Sequence, residues 1–511
     1  MNCLLIYPEM PDTFYALKHF VKHAGKKAPF PPLGLLTVAS MLPDDWSLRV
    51  CDCNVEPLTD NLLDWADLVF LSAMNVQEES VRVVLKQCEQ KKVKVVAGGP
   101  LFTHEHERFN NVDYFVLNEA EITLPLFLAD FQSGEPQKIY TSTAFADITT
   151  TPLPRYDLVD LDNYLYAIIQ YSRGCPYLCD FCDVTALFGR KPRVKSPDRL
   201  IEELELIQKQ SNFTTVLFAD DNLIGNKRVL KNDLLPALIE WQKKQEYGFW
   251  FATQVTINVA DDPELLSMLA DAGFRSMFIG IETPQEDTLK DARKTQNLKR
   301  DVLKTLRFLH ERGFTVYAGF IIGFDNDTPA SIAYVADFIQ ESGIPFPIVN
   351  VLKAPPGTEL FDRMKREGRL SKDFAFEEGD TNIHPTMPLE DLLKGFIHVV
   401  KKIYLQEGTF ERIKIYLSQH QFTGSSVKIK AKIRVKDIIQ LLKLLFTIGL
   451  ISQHRANFWR VLAYTFRNHR QFLEHGLFLA LMSVQMHAHA LHLLEQAHVQ
   501  LDEIERQKKV A

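Results

Sequence analysis

Three cysteines, Cys175, Cys179 and Cys182, stand within eight residues of one another in Ser172-Arg173-Gly174-Cys175-Pro176-Tyr177-Leu178-Cys179-Asp180-Phe181-Cys182. Thiolates at this spacing wrap one loop around a cuboidal [4Fe-4S] cluster and leave its fourth iron without a protein ligand, an open corner where a small molecule can bind. The alternative use of such a loop is a structural zinc site, which needs a fourth protein ligand to close its shell. The other four cysteines, Cys3, Cys51, Cys53 and Cys88, all lie in the first hundred residues. Seven cysteines without an export signal argue against a disulfide framework and for thiol or metal chemistry in a reducing, cytoplasmic compartment.

The elements that must position this loop are legible from hydrophobic periodicity. Short apolar runs at Cys3 to Tyr7, Leu48 to Asp52, Leu68 to Ser72, Val93 to Ala97 and Tyr114 to Leu117 alternate with helix-like stretches at Leu33 to Leu42, Glu79 to Lys91 and Ile122 to Phe131. Such alternation predicts a Rossmann-like, doubly wound parallel sheet over residues 1–140. Ligands of such sheets sit at the carboxyl ends of the strands. Those ends carry Tyr7-Pro8-Glu9, Ser72-Ala73-Met74, Gly98-Gly99-Pro100 and Asn118-Glu119-Ala120-Glu121. No Gly-x-Gly-x-x-Gly follows the first strand, which disfavours a nucleotide-binding domain of the dinucleotide type.

An irregular linker over 141–165 leads to a second series of strands at Ala167 to Ser172, Thr215 to Ala219, Phe249 to Thr253, Ser276 to Ile281, Thr315 to Phe320 and Pro347 to Leu352. Six strands with intervening helices predict a partial (β/α)6 barrel over 166–390, its chemistry again at the carboxyl-end loops. The cysteines follow its first strand. Residues 391–511 read as a mainly helical domain, with a short strand expected at Val427 to Val435.

The whole sequence of 511 residues is 46% apolar and 24% charged, a globular composition. The net charge of −7 hides a contrast. Residues 391–511 carry 18 Lys and Arg against 9 Asp and Glu, so an acidic body precedes a basic C-terminal module. No run of about 18 uninterrupted apolar residues marks a membrane span. Within the basic module, Ile438, Ile439, Leu441, Leu442, Leu444, Leu445, Phe446 and Ile448 follow Lys428, Lys430, Lys432, Arg434 and Lys436. That composition suits either an interfacial element drawn to anionic lipid or the core of a helical bundle over the barrel mouth. His487, His489, His492 and His498 read as surface or packing residues.

The cysteine spacing, with the aromatic Phe181 before the last Cys and the loop after the first strand of a six-stranded barrel, resembles the radical S-adenosylmethionine (SAM) enzymes. The resemblance implies a cluster whose open iron is chelated by SAM, and a 5′-deoxyadenosyl radical formed by reductive cleavage. It extends to Asp220 and Asp221 after strand two, Gln254 after strand three, Glu282 in Gly280-Ile281-Glu282 on strand four, and Gly323 in Gly319-Phe320-Ile321-Ile322-Gly323. These stand where the family has SAM contacts. Asp220 and Asp221 could equally cap a helix, and Glu282 could pair with a barrel Lys or Arg. Arg173 and Arg193 read as ordinary ion-pairing residues and stay outside the site.

The first domain resembles the cobalamin-binding domain that precedes the barrel in one branch of the family, on Pro31-Pro32-Leu33-Gly34, Ser72, Gly98, Gly99, Pro100 and Glu119. The Asp-x-His-x-x-Gly motif that supplies a cobalt ligand in cobalamin mutases is missing, since Asn54 and Pro57 stand at its His and Gly places. His19, His23, His104 and His106 read as solvent-facing. The pattern, including the Ala28 to Gly34 opening and the extra helical C-terminal domain, is similar to the hopanoid 2-methylase and its relatives. It implies a C-methyltransferase acting on an unactivated carbon of a small-molecule or lipid substrate, served by an external electron donor such as flavodoxin or ferredoxin. Ring contraction, cyclisation and methylthiolation remain alternatives. A peripheral contact with the inner face of a membrane is a further expectation, and nucleic acid is not an expected partner.

Overall fold

The computed structural model describes residues 1–246, 248–371, 378–421, 435–452 and 455–510. The chain divides into two compact units, the first made of Met1–Pro11, Lys26–Pro176 and Asp183–Asp221, the second of Asp12–Gly25, Tyr177–Cys182 and Asn222–Ala511.

In the first unit, β1 (Asn2–Tyr7), β2 (Ser47–Asp52), β3 (Leu68–Ser72), β4 (Lys94–Gly98), β5 (Tyr114–Val116) and β6 (Ile139–Tyr140) form a sheet in the order β2-β1-β3-β4-β5-β6. Every pairing is parallel. Helices cover both faces, which is why these strands read as unbroken apolar runs. Alternate residues divide between two cores: Leu4, Ile6, Cys51, Val69, Leu71 and Cys88 pack on one face, and Cys3, Leu5, Phe70, Val96 and Phe127 on the other. The edge strand β6 escapes sequence periodicity because two residues are too few to show any.

The expected strand Ala167 to Ser172 breaks after β7 (Ala167–Ile169), which pairs in parallel with β10 (Thr215–Phe218). Its end becomes β8 (Ser172–Arg173), antiparallel to β9 (Arg193–Val194). The reason is local. The Asp220 carboxylate accepts from the backbone N–H groups of Tyr171 and Ser172, drawing them out of a parallel ladder.

In the second unit, β11 (Trp250–Val255), β12 (Phe274–Glu282), β13 (Thr315–Ile322) and β14 (Phe346–Val351) pair in parallel in that order. The βα connections end in side-chain caps: Asp262 accepts from Leu265 N at 2.9 Å and Asp301 from Lys304 N at 3.0 Å. One face of this sheet, with Phe251, Met277, Ile279, Val316, Ala318 and Phe320, is buried. The other, with Ala252, Gln254, Ser276, Phe278, Tyr317, Gly319 and Ile321, keeps partial access. The helices Leu389–Tyr404, Gln406–Gln419, Val435–Phe446, Arg455–Asn468 and Leu473–Val510 follow. The helical stretch Arg470–Arg506 is long and apolar enough to cross a membrane, but its most apolar window is 61% buried within the protein, as in a core helix. The strand expected at Val427 to Val435, and Lys428, Lys430, Lys432 and Arg434, fall outside the described residues, while Val435 itself begins a helix.

Candidate active site

The cysteine loop starts from an anchored root. In the first unit Gly174 has φ of +93°, and a Cβ there would meet the carbonyl oxygens of Gly189 at 2.9 Å, Phe188 at 3.0 Å and Lys191 at 3.2 Å. Only glycine fits this close approach without strain. Gly174 N donates to Asp221 at 2.9 Å, and Cys175 N donates to Gly189 O at 3.2 Å. Burial lifts the Asp221 carboxyl to about 6, against the pull of that hydrogen bond. Asp220 is fully buried and burial raises it to about 7. It accepts from the Ser172 hydroxyl at 2.5 Å as well as from the two backbone N–H groups. Neither aspartate caps a helix; both strap the chain that leads into Cys175.

Arg173 and Arg193, left outside the site by sequence reasoning, hold the same root. Arg173 reaches Glu119 at 2.9 Å and Glu121 at 2.8 Å, and Arg193 reaches Glu119 at 2.9 Å. Ala146 N completes the Glu119 shell at 2.8 Å. Both Glu119 oxygens are thereby committed, and its role in this structure is to join the β5 exit to the start of the cysteine loop. The nearest sequence signal was the placing of acids at a strand end and of Arg173 one residue before Gly174.

In the second unit the rest of the loop is held equally firmly. Asp180 N donates to Ala292 O at 3.2 Å, and Asp180 O accepts from Leu360 N at 2.9 Å. The Phe181 ring packs against Phe324 at 6.2 Å, in a cluster with Ala292, Leu360 and Met364. Burial pushes the Cys179 thiol up, while the charge of Lys294 and the Gln296 amide, 3.6 Å from its sulfur, favour the thiolate.

Glu282 ends β12 with φ of +66° and pairs with the Lys294 ammonium at 2.6 Å. Burial alone would depress Lys294, but the charges of Glu282 and Cys179 outweigh it and hold it above the usual range. Gly280 leaves the room: a Cβ there would lie 2.3 Å from Glu282 Oε1 and 2.8 Å from Lys294 Nζ. Gln254 lies within β11 rather than after it, on the partly accessible face. Gly323, with φ of +94°, and Phe324 both donate their N–H to Asp327, at 2.8 and 3.0 Å, making the turn after β13.

At the carboxyl ends of the first sheet the glycines serve backbone packing. A Cβ on Gly98 would lie 2.6 Å from Val116 O, and one on Gly99 would lie 2.9 Å from Ala73 O and 3.0 Å from Ser72 Oγ. Pro100 opens the helix Pro100–Glu105. Asn54 is fully engaged: its amide donates to Asp52 at 2.7 Å and Pro8 O at 3.2 Å, and its oxygen accepts from Met10 N at 2.8 Å. His19 and His23 belong to the second unit, and His104 Nε2 and His106 Nδ1 are buried rather than solvent-facing.

The donor set fits an iron–sulfur cluster. None of the seven cysteines is in a disulfide, and the three in the motif are partly accessible. Among the described residues no three His, Cys, Asp or Glu side chains converge as on one ion. A closed zinc shell needs a fourth protein ligand, and the loop Cys175 to Cys182 supplies three thiols. The small strand-end residues and the absence of a histidine at residue 54 suit a corrin bound without a protein imidazole.

Family models match residues 26–128 as a B12 binding domain, 169–339 as the radical SAM superfamily and 358–503 as a domain of unknown function. An uncharacterized methyltransferase of Synechocystis is 35% identical over 516 residues, covering 99% of this chain and 94% of that protein. The hopanoid C-2 methylase of Rhodopseudomonas palustris is 33% identical, covering 89% and 88%. Among solved structures, the cobalamin-dependent radical SAM enzyme OxsB with aqua-cobalamin and SAM bound matches with a TM-score of 0.60 at 15% identity, covering 100% of this chain and 80% of its own. The methyltransferase TsrM of Kitasatospora setae, with cobalamin and a [4Fe-4S] cluster, matches with a TM-score of 0.56 at 16% identity, covering 73% and 76%. Identity of this extent along nearly the whole chain makes the protein a member of the cobalamin-dependent radical SAM enzymes, in their methyltransferase branch, working with a [4Fe-4S] cluster, SAM and cobalamin.

Proposed function

We propose that the protein is a C-methyltransferase acting on an unactivated carbon of an apolar, hopanoid-like substrate. The observation that carries the substrate class is the partly accessible face of β11 to β13. Ala252, Gln254, Ser276, Phe278, Gly280, Tyr317, Gly319 and Ile321 line it, and none is charged. Tyr15 adds a ring 6.2 Å from that of Phe278, and Gly319 makes space for Phe278, whose Cζ lies 3.1 Å from where a Cβ would stand. Such a surface holds a bulky apolar body through dispersion and desolvation, with Gln254 as a polar handle. The likeness to the hopanoid C-2 methylase supports the same class.

In this reading Cys175, Cys179 and Cys182 hold the cluster, and Asp221, Gln254 and Glu282 face SAM. Asp220, Phe181 and Gly323 shape the loops around it. Ser72, Gly98, Gly99 and Pro100 border the cobalamin in the domain of residues 1–140, and Glu119 secures its junction with the cysteine loop. When bound, the cluster and SAM supply a radical able to remove hydrogen from carbon, and cobalamin supplies the methyl group. The chain's own work is to anchor the loop, orient the apolar substrate and exclude solvent that would quench the radical. An external one-electron donor of the flavodoxin or ferredoxin class, and access to substrate at the inner face of a membrane, belong to this reading.

Methylthiolation is disfavoured by the remaining cysteines. Cys3 lies in the core on one face of the first sheet and Cys51, Cys53 and Cys88 on the other, so the four do not converge on one centre. The test is anaerobic reconstitution with SAM, reductant and a polycyclic triterpene. A product gaining one methyl group, with deoxyadenosine formation lost in Cys175→Ala, Cys179→Ala and Cys182→Ala, is expected. A rearranged but unmethylated product overturns the reading in favour of ring contraction or cyclisation.

A further inference from the structure

The helix Val435–Phe446 and the turn Thr447–Ile451 that continues it are apolar on two sides: Leu444 and Ile448 are buried, and a second apolar stripe is not. A surface helix turns its apolar stripe inward. Here Ile438, Ile439, Leu441, Leu442, Phe446 and Leu450 face outward, with Leu442 60% and Leu450 62% exposed. The polar Gln440 points the other way, donating to His23 O at 2.7 Å. Trp459 and Phe466, on the next helix, add 46% and 47% exposed rings to the same stretch of chain. Trp459 Nε1 donates to Gly449 O at 2.7 Å, so the indole is fixed against the turn. Exposed apolar side chains on this scale exceed what a fully solvated surface ordinarily carries.

The charges of the same stretch name the occupant. From Ile438 to Leu473 the sequence holds Lys443, Arg455, Arg460, Arg467 and Arg470 and not one Asp or Glu. Lys443, Arg455, Arg467 and Arg470 are exposed, and Arg460, also exposed, is paired with Glu407. A partner protein's apolar patch would satisfy the leucines but not this surplus of cations. A bilayer containing acidic phospholipid satisfies both, its acyl region taking the apolar stripe and its headgroups the cations, with aromatic rings at the boundary.

We infer that the exposed side chains of Ile438–Ile451 and Arg455–Leu473 form a membrane-docking surface that seats the enzyme on anionic lipid. This deepens the proposed function by naming where an apolar substrate is met. It stands on separate observations, and SAM cleavage measured without vesicles reports on the chemistry alone.

The full chain is sedimented with vesicles of phosphatidylcholine, with and without phosphatidylglycerol. Binding should rise with phosphatidylglycerol and fall at least about fivefold between low and high salt, because exposed charges are screened. The double variant Leu442→Glu with Leu450→Glu should lose binding at least about tenfold while keeping its circular dichroism and SAM cleavage. Lys443→Glu with Arg467→Glu should weaken binding only to the anionic vesicles. A blue shift of tryptophan emission on vesicles should vanish in Trp459→Phe. Retention in the supernatant with every vesicle at low salt overturns the inference. So does a dimer in lipid-free buffer that Leu442→Glu with Leu450→Glu abolishes, since the face would then belong to a second copy.

Discussion

A buried carboxylate costs free energy unless something pairs with it, and at the scale of single residues that requirement explains the site. Glu282 is satisfied by Lys294, Glu119 by two arginines, and Asp220 by N–H and O–H donors. Removing one partner is therefore worse than removing both. Lys294→Met should destabilise the protein by about 3–5 kcal/mol by leaving Glu282 buried and unpaired, and adding Glu282→Gln should restore most of the loss. Urea unfolding of the two single variants and the double variant measures this; additive losses would contradict it. Gly280→Ala should act on the same pair, since its methyl would occupy the space of the Glu282 oxygen and the Lys294 ammonium. The expected sign is a loss of SAM cleavage with the cluster absorbance retained.

Elements set what these residues can do. The first strand's exit loop is held through Asn54, whose amide makes three hydrogen bonds to Asp52, Pro8 and Met10, so the side chain at the place of the mutase histidine is already committed. The cob(II)alamin form should accordingly show an axial paramagnetic resonance spectrum without nitrogen superhyperfine splitting. Observed splitting would mean that a protein histidine or the cofactor's own base occupies the lower face. The helix Gln406–Gln419 docks on β13 through a polar knot. The Tyr416 hydroxyl is 2.8 Å from Thr315 Oγ1 and 2.9 Å from both His420 Nδ1 and His475 Nε2, and the His310 ring stands edge-on to Tyr416 at 5.0 Å. Burial lowers His310 and His475 to about 4, and burial together with His475, His310 and Arg275 lowers His420 to about 3. The unfolded chain binds protons at these histidines near pH 6.5 and the folded chain does not, so their contribution to stability falls as pH drops below about 6.5 and stops falling near 3 to 4. Each histidine contributes at most about 1.4 kcal/mol per pH unit in that window. Asp220 and Asp221, raised to about 7 and 6, act with the opposite sign over the same window, so the histidine contribution is read as a difference: urea midpoints from pH 7.5 to 5 should fall less, relative to pH 7.5, in His420→Gln than in the unaltered chain.

For the molecule as a whole, the division of labour among cysteines fixes the metal content. Burial drives the Cys3 and Cys88 thiols up to about 12, and the first sheet separates Cys3 from Cys51, Cys53 and Cys88, which leaves Cys175, Cys179 and Cys182 as the three thiols carried on a single loop. Reconstituted full-length protein should therefore carry about four irons per chain and not eight. Iron and sulfide analysis of the protein and of Cys179→Ala checks it, with near-complete loss expected in the variant. Charge is distributed with the same economy: the acidic surplus lies before residue 391 and the basic surplus after it, where the exposed apolar helix also lies.

The parallel-sheet architecture is legible in the residue pattern alone, because strands covered on both faces must be continuously apolar and the helices between them must repeat every 3.6 residues. So is the cluster loop, because thiolate spacing along one loop is a local property. Local pattern stopped short at Ile139–Tyr140, too brief to show a period, and at Ser172–Arg173, where an aspartate 48 residues away pulls a strand apart. It could not say which carboxylates were spoken for. Glu119 and Arg173 are 54 residues apart in the chain, and whether they meet depends on where the fold carries them. Nor could composition decide between a bundle core and an outward face for Ile438 to Ile451, since the same apolar residues satisfy either. The fold settles it both ways, burying Leu444 and Ile448 and turning Gln440 inward to a backbone carbonyl while leaving Leu441, Leu442 and Leu450 in the open.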